Sequence, residues 1–363
     1  MDRIPLIDLE SLHRPLGDDL RAAAARVLAS GRFILGPEVA TFERELSVAF
    51  GFSDAVGVSS GTDALLALLM AAGVGPGDEV LTTPYSFFAT VEVIMRLGAR
   101  PVFADVDPAT MNLDPAAAVS RLGRRTKAVL IVHLFGRVAE AAPLRAACAA
   151  AGIPILEDAA QAIGAPAVGL GRAAALSFFP SKNLGGFGDG GAVLTNDRQL
   201  AEQVRSLRSH GMSEHKLHHE RLGGNFRLDE LQAALLRVAL PHLGGWTEAR
   251  RRVARLYLEQ LRRLPIDLPL ADEGCVWNQF VIRVPAGCRA RLRDHLDTLG
   301  VTTAIYYPVP LHLQPALAVL GHRAGDFPKA ERAAAESLAL PIHPVLSDAA
   351  LARVASALTA FFH

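Results

Sequence analysis

The sequence predicts an α/β fold: a mostly parallel central sheet with helices on both faces, followed by a smaller C-terminal α+β domain. Two observations carry this. From about Ala55 to Asn196, short β-branched runs alternate with Ala/Leu-rich helical runs, the pattern of crossover-connected parallel strands. After Asn225 the alternation gives way to long helical stretches broken by Pro241 and Gly244-Gly245, which read as a hinge.

The elements follow in order. AVGVSS (55–60) precedes a helix through DALLALLMAAG, EVLTT (79–83) precedes TVEVIMRLGA, and RPVFADV (100–106) precedes DPAAAVSRL. KAVLIVH (127–133), a helix through PLRAACAAAG, and IPILEDA (153–159) continue the series, with further strands at LSFF (176–179) and AVLTN (192–196). Helices are expected over Arg227–Leu240 and Glu248–Leu264, then over Arg289–Leu299, with a strand at VTTAIYY (301–307) and a last helix from Ala349. The division expected is a large domain of residues 1–243 and a small one of 244–363, with room for residues 1–30 to pack on the small domain.

Composition narrows the function classes. Lys+Arg and Asp+Glu both total 37 in 363 residues, so the chain lacks the basic excess of a nucleic-acid binder. The longest apolar stretch, Ala64–Val74, is too short to span a bilayer. Three cysteines without CxxC spacing suit a reducing compartment, and the expectation is a cytoplasmic protein with neither membrane nor nucleic-acid partner.

Ligands of parallel sheets sit at the carboxyl ends of the strands, so Ser59-Ser60, Thr83, Asp105, His133 and Asp158 are the first candidates. Only four cations are lysine: Lys127, Lys182, Lys216 and Lys329. Lys127 and Lys329 read as solvated, and Lys216 lies in a polar histidine-rich stretch. Lys182 stands between the apolar LSFF run and the glycine-dense GGFGDGG (185–191). Desolvation there lowers an amine's pKa and frees it for Schiff-base chemistry, although a lysine snorkelling at a strand end is the plainer alternative.

Lys182 has company. Gly61, Thr62 and Asp63 open a helix directly after a strand, where outward amides and the helix dipole favour a phosphate; capping explains Thr62 or Asp63 equally well. Asp158, at a strand end, can keep the ring nitrogen of a pyridine cofactor protonated, or can cap the next helix. Lysine, strand-end aspartate and phosphate cup together make a pyridoxal phosphate site. Two other motifs fall away. Gly186–Gly191 matches GxGxxG but precedes a strand, and His215, His218, His219 and Glu220 lack the order of a metal site, so no metal is expected.

Ordered blocks then resemble the DegT/DnrJ/EryC1/StrS family of fold-type I, pyridoxal-phosphate-dependent sugar aminotransferases. They include GRFILGPEV (31–39), SSGTDALL (59–66), GARPVFADVDP (98–108), TKAVLIVHLFG (126–136), EDAAQAIGA (157–165), SFFPSKNLGGFGDGGAVLTND (177–197) and GGNFRLDELQAA (223–234). The resemblance implies that Lys182 bonds the cofactor, that Asp158 pairs with its ring nitrogen, and that Gln161 contacts the phenolic oxygen. It implies that Phe87 stacks on the ring and that Ser60, Gly61, Thr62 and Ser177 hold the phosphate. Asn225 would reach the phosphate in the neighbouring subunit, giving a homodimer with shared active sites. Tyr307 and His312 of YYPVPLH are the substrate-binding candidates.

Two departures lie where a sugar would be contacted. Tyr306-Tyr307-Pro308 stands where the family commonly has His-Tyr-Pro, and the stretch from Gly164 to Ser177 is several residues shorter than usual. The reaction implied is ping-pong transfer of an amino group from L-glutamate to a keto sugar, a nucleotide-linked 3- or 4-keto-6-deoxyhexose. A cyclitol ketone aminotransferase, a pyridoxal-phosphate sugar dehydratase, an amino-acid lyase or aldolase, and a non-enzymatic regulator on the same fold are the alternatives. The related 3-dehydratases replace the lysine with histidine, so Lys182 opposes that reading.

Overall fold

The computed structural model describes residues 3–363 except 167, 214 and 216, so the Lys216 reading falls outside the described residues. Seven strands form the central sheet: β1 (Asp54–Val58), β2 (Glu79–Thr82), β3 (Arg100–Phe103), β4 (Thr126–Val132), β5 (Ile155–Asp158), β6 (Ala173–Ser177) and β7 (Gly191–Thr195). Their order is β1-β7-β6-β5-β4-β2-β3. All neighbours are parallel except β7, which runs antiparallel to both β1 and β6.

Every residue of β5, β6 and β7 is buried, because helices cover both faces. Along β6 the period of two is visible: Ala173 and Ala175 pack with helices Gly61–Ala71 and Arg198–Leu207, whereas Ala174 and Leu176 pack with Pro37–Phe50 and Glu230–Ala239. The strand expected at 176–179 therefore lies earlier, ending at Ser177. An alanine run reads as helix by propensity, and its place between two fully buried strands overrides that.

At the expected hinge, Pro241 lies in a 3-10 turn between two helices, whereas Gly244-Gly245 lie inside the second of them. Helix Glu230–Ala239 passes through a single 3-10 turn, Leu240–His242, straight into helix Leu243–Leu261, which contains both glycines. Each glycine costs about 1 kcal/mol against alanine. Burial of Val253, Tyr257 and Leu261 from the same helix, at about 1.5–3 kcal/mol each, outweighs that.

The C-terminal core gathers helices Leu243–Leu261, Arg289–Thr298 and Asp348–Phe362 around an antiparallel pair, β8 (Phe280–Arg283) and β9 (Ser337–Leu340). The 301–307 run is not a strand; only Val301 and Ala304 make isolated bridges, to Ile4 and Ala339. Ile4 also accepts and donates backbone bonds with Thr302 and Gly300, which fastens the chain's beginning to this core. Helix Gly17–Ser30 instead buries Leu20, Ala23 and Val27 against Ala234 and Leu235. Among the described residues, no helix is long and apolar enough to cross a membrane.

Candidate active site

The carboxyl ends of β1 and β6 meet the start of helix Gly61–Ala71, and β5 ends beside β6. Ser60 caps that helix, its Oγ accepting from the Asp63 N–H at 3.0 Å while Asp63 accepts from Ser59 and Ser60 in return. A side chain on Gly61 would put Cβ 2.6 Å from Cβ of Ser177, so only glycine lets the helix start sit against the end of β6. The amides of Gly61 and Thr62 make no hydrogen bond among the described residues. Two free amides and the Ser177 hydroxyl at a helix N-terminus form a ready anion cup.

Asp158 is buried at the end of β5. Thr90 Oγ1 donates to its Oδ2 at 2.8 Å and the Ala160 N–H to its Oδ1 at 3.2 Å. Burial nevertheless pushes its carboxyl above the usual range, against those bonds and the attraction of Lys182. Lys182 follows β6 in the turn predicted for it. Burial pushes its ammonium down to about 8, again against the pull of Asp158. Among the described residues no cation lies within ion-pairing distance of the Asp158 carboxylate.

Beside Asp158, Gln161 Oε1 accepts the Phe135 N–H at 2.7 Å and its Nε2 donates to the Tyr307 hydroxyl at 2.9 Å. Phe87 stands 56% exposed, with its ring centroid 6.2 Å from that of Tyr307. The structure thus brings together Asp158, Gln161, Tyr307 and Phe87 on one side, and Ser60, Gly61, Thr62 and Ser177 on the other. Asn225 is exposed; its backbone bridges Ser209, and the next residue, Phe226, accepts from Ser59 N–H, so the segment lies beside its own β1. Asn225 does not cap a helix: the helix starts at Glu230, with Asp229 at the cap position. His312 lies elsewhere, buried with Nε2 at 3.0 Å from Glu331 and its ring against Phe327.

Other strand-end candidates are spoken for. Asp105 accepts the N–H groups of Lys329 and Ala330 and so caps helix Pro328–Glu336. His133 is locked: its Nδ1 accepts from the Ala139 N–H and its Nε2 donates to Glu157 at 2.8 Å. Burial alone would raise the Glu157 carboxyl, but His133 and the N–H groups of Gly169 and Gly171 outweigh it and hold it below the ordinary value. Lys329 pairs with Asp114 at 3.2 Å. Sequence reasoning missed Thr90 and Tyr85; the Tyr85 hydroxyl donates to the Tyr306 carbonyl, accepts from the Tyr307 N–H and also meets Ser337 Oγ. Neither residue carries a motif, since each matters only through a contact distant in sequence.

Residues 16–359 match the model of the DegT/DnrJ/EryC1/StrS aminotransferase family. The chain belongs to this family. Its sequence is 44% identical to the dTDP-3-amino-3,4,6-trideoxy-alpha-D-glucose transaminase of Streptomyces venezuelae, covering 98% of this chain and 95% of the relative. It is also 44% identical to a protein of Geobacillus stearothermophilus named a pleiotropic regulatory protein, covering 95% of each. The fold superposes on S. venezuelae DesV in complex with a ketimine intermediate, with a TM-score of 0.96, 42% identity and 100% and 99% of the two chains covered. NtdA from Bacillus subtilis, bound to pyridoxamine phosphate, matches with a TM-score of 0.95 and 30% identity over 100% of this chain and 86% of that one. The chain is a pyridoxal-phosphate-dependent aminotransferase. The residues fit the cofactor: a desolvated amine, a buried carboxylate lacking a cation, and a cup of free amides that a Cβ would obstruct.

Proposed function

We propose that the enzyme moves an amino group from L-glutamate to the keto carbon of a nucleotide-linked 6-deoxyhexose by ping-pong transamination. The observation that carries this reading is the presence of a buried Lys182 amine and a buried Asp158 carboxylate, each shifted by burial against the other's charge, in a chain that aligns end to end with a sugar transaminase. That relative's product carries its amine on carbon 3, which favours a 3-keto over a 4-keto substrate.

When bound, pyridoxal phosphate supplies a ring that accepts the electron pair left when the donor's α-proton departs. The residues divide the remaining work. Lys182 bonds the cofactor at rest, then acts as the base that takes the α-proton and returns it on the other side of the C–N bond. Its lowered pKa matters here, because a strongly basic amine stays protonated and cannot take a proton. Asp158 faces the ring nitrogen and keeps a proton on it; the cation so formed supplies the counter-charge the buried carboxylate lacks. The Gly61 and Thr62 amides with Ser60 and Ser177 hold the phosphate, Phe87 covers the ring, and Gln161 meets its phenolic oxygen. Tyr307, held by Gln161, faces the substrate, and His312 supports the segment that carries it.

The active unit in this reading is a homodimer with Asn225 reaching the partner's phosphate. Exposed Phe33, Ile34 and Phe179, at 49%, 49% and 52%, support it as apolar surface available for burial between subunits. The regulatory name of the G. stearothermophilus relative supports a second reading, a regulator on the same fold. One experiment separates them. L-Glutamate added to the loaded enzyme is expected to replace the visible band of the lysine-bound cofactor by the near-ultraviolet band of its amine form, and a nucleotide-linked 3-keto sugar to reverse the change. No spectral response to any amino donor sinks the transaminase reading and leaves the regulator.

A further inference from the structure

Residues 275–279 thread between the turn that binds Gln161 and the turn that carries Lys182. On one side the Val276 N–H donates to the Gly136 carbonyl at 3.0 Å. A Cβ on Gly136 would lie 2.7 Å from the Trp277 nitrogen and 2.8 Å from that of Asn278, so the two backbones touch. Gly136 closes the turn whose Phe135 N–H binds Gln161. On the other side Asn278 Nδ2 donates to the Ser181 carbonyl at 3.4 Å and to Asn183 Oδ1 at 3.2 Å. Asn183 Nδ2 donates back to the Val276 carbonyl at 2.8 Å.

Ser181 and Asn183 are the residues on either side of Lys182. One amide therefore grips both flanks of the lysine, and it comes from the segment leading into β8 of the C-terminal core. Asn278 is itself held from behind. Arg250, buried in helix Leu243–Leu261, directs Nη1 to the carbonyls of Trp277, Asn278 and Ile342 at 3.3, 3.5 and 2.9 Å. Trp277 adopts a left-handed backbone conformation at φ 50°, a strained geometry for a bulky side chain that the packing on both sides sustains.

We propose that Asn278 is a positioning residue: its amide holds the Ser181–Asn183 turn so that the Lys182 amine stays in its dry seat beside Asp158. A buried asparagine that merely satisfies backbone carbonyls would stabilise the fold without affecting that amine. Gln279 offers an internal comparison: it lies on the same segment and, like Asn278, has a buried side-chain oxygen without a partner, but among the described residues its side chain makes no hydrogen bond to the lysine turn. The proposal rests on the role given to Lys182 above, but its test does not depend on the identity of any sugar.

The full-length enzyme loaded with pyridoxamine phosphate leaves the Lys182 amine free. Its reaction with an amine-selective acylating reagent, followed across pH by peptide mass spectrometry, gives the midpoint of that one amine. Asn278→Ala should raise the midpoint by about one pH unit, a tenfold loss of free amine at a fixed pH below it, and lower kcat more than it raises KM. Gln279→Ala should leave the midpoint where it is. An unchanged midpoint in a folded Asn278→Ala enzyme, or equal shifts in both variants, overturns the proposal. If Asn278→Ala does not fold, Asn183→Ala releases the same turn from the other end, and an unchanged midpoint there overturns it equally. Failure of the transaminase reading would show instead as an enzyme without turnover whose Lys182 midpoint still responds to Asn278.

Discussion

Lys182 and Asp158 each shift against the other's charge: the amine goes down to about 8 and the carboxyl goes up, because burial outweighs their mutual attraction. Lys182→Ala is expected to abolish turnover and the visible band while leaving the thermal midpoint within a few degrees, since the side chain contributes chemistry more than packing; near wild-type amination would refute its role. Asp158→Asn should retain the cofactor but lose at least about a hundredfold in kcat, as for other removed charge-stabilising groups. Wild-type turnover would reduce Asp158 to the acceptor of the Thr90 and Ala160 bonds. A third buried group bears on stability. Burial, reinforced by the nearby Arg250 charge and opposed by Asp8, pushes His343 down to about 4 from an ordinary 6.5. Its neutral form therefore favours the fold fully above pH 6.5, and that contribution, about 3 kcal/mol, is lost as the pH falls towards 4. Urea unfolding at pH 7 and pH 4.5 should show His343→Leu losing less stability over that interval than the wild type. Lys182 could be read from the sequence because the chain has four lysines and this one alone stands beside the glycine-rich GGFGDGG loop. Asn278 and Thr90 could not, since their partners lie 95 and 68 residues away.

Among the elements, the β-branched strands were the most readable. β1, β2, β4 and β5 fall where the alternation put them, and a helix follows each of the first three as expected. The misreadings share one cause, local chemistry overruled by packing. The Ala173–Ser177 strand has helix-forming composition, the Gly244-Gly245 pair has breaker composition, and VTTAIYY has strand composition but only isolated bridges. The helix start at Gly61 is the element on which the phosphate cup depends. Gly61→Ala would set two Cβ atoms 2.6 Å apart and must push the helix off Ser177. Overpacking of this kind costs about 1–3 kcal/mol, and the cup opens with it. The expected result is a lower thermal midpoint together with cofactor affinity at least about tenfold weaker by fluorescence titration. Adding Ser177→Gly removes the second Cβ, leaving a 3.2 Å contact with the backbone Cα, and should recover part of the midpoint, though not the hydroxyl's share of the affinity. If the double variant is as unstable as the single one, the clash is not what Gly61 avoids.

At the scale of the whole molecule, the open question is whether each site is built by one chain or by two. The resemblance implied that Asn225 works in trans, at the neighbouring subunit's phosphate. Within its own chain the Phe226 carbonyl accepts the Ser59 N–H and Arg227 bridges Val58 of β1, so the segment also runs close to the cup of its own chain. What favours the partner's site now is exposure. Asn225 is accessible and, among the described residues, its side chain makes no hydrogen bond, while Asp229 and Glu230, four and five residues further along, pair with Ile34 and Phe33 of the exposed apolar stretch. An asparagine with free amide hydrogens at the border of apolar surface is placed to donate across a dimer contact. Mixing Lys182→Ala with Asn225→Ala subunits tests this. With donation in trans, each heterodimer contains one site with both defects and one with neither, so activity should rise above that of either parent towards a quarter of the wild-type value, because about half of randomly mixed dimers are heterodimers and each has one intact site of two. With donation within one chain, every site keeps one defect and mixing brings no gain. Subunit exchange is verified by native mass spectrometry of differently tagged chains, and Asn225→Ala alone must be impaired. A verified heterodimer without rescue assigns Asn225 to its own subunit's phosphate and removes the shared site.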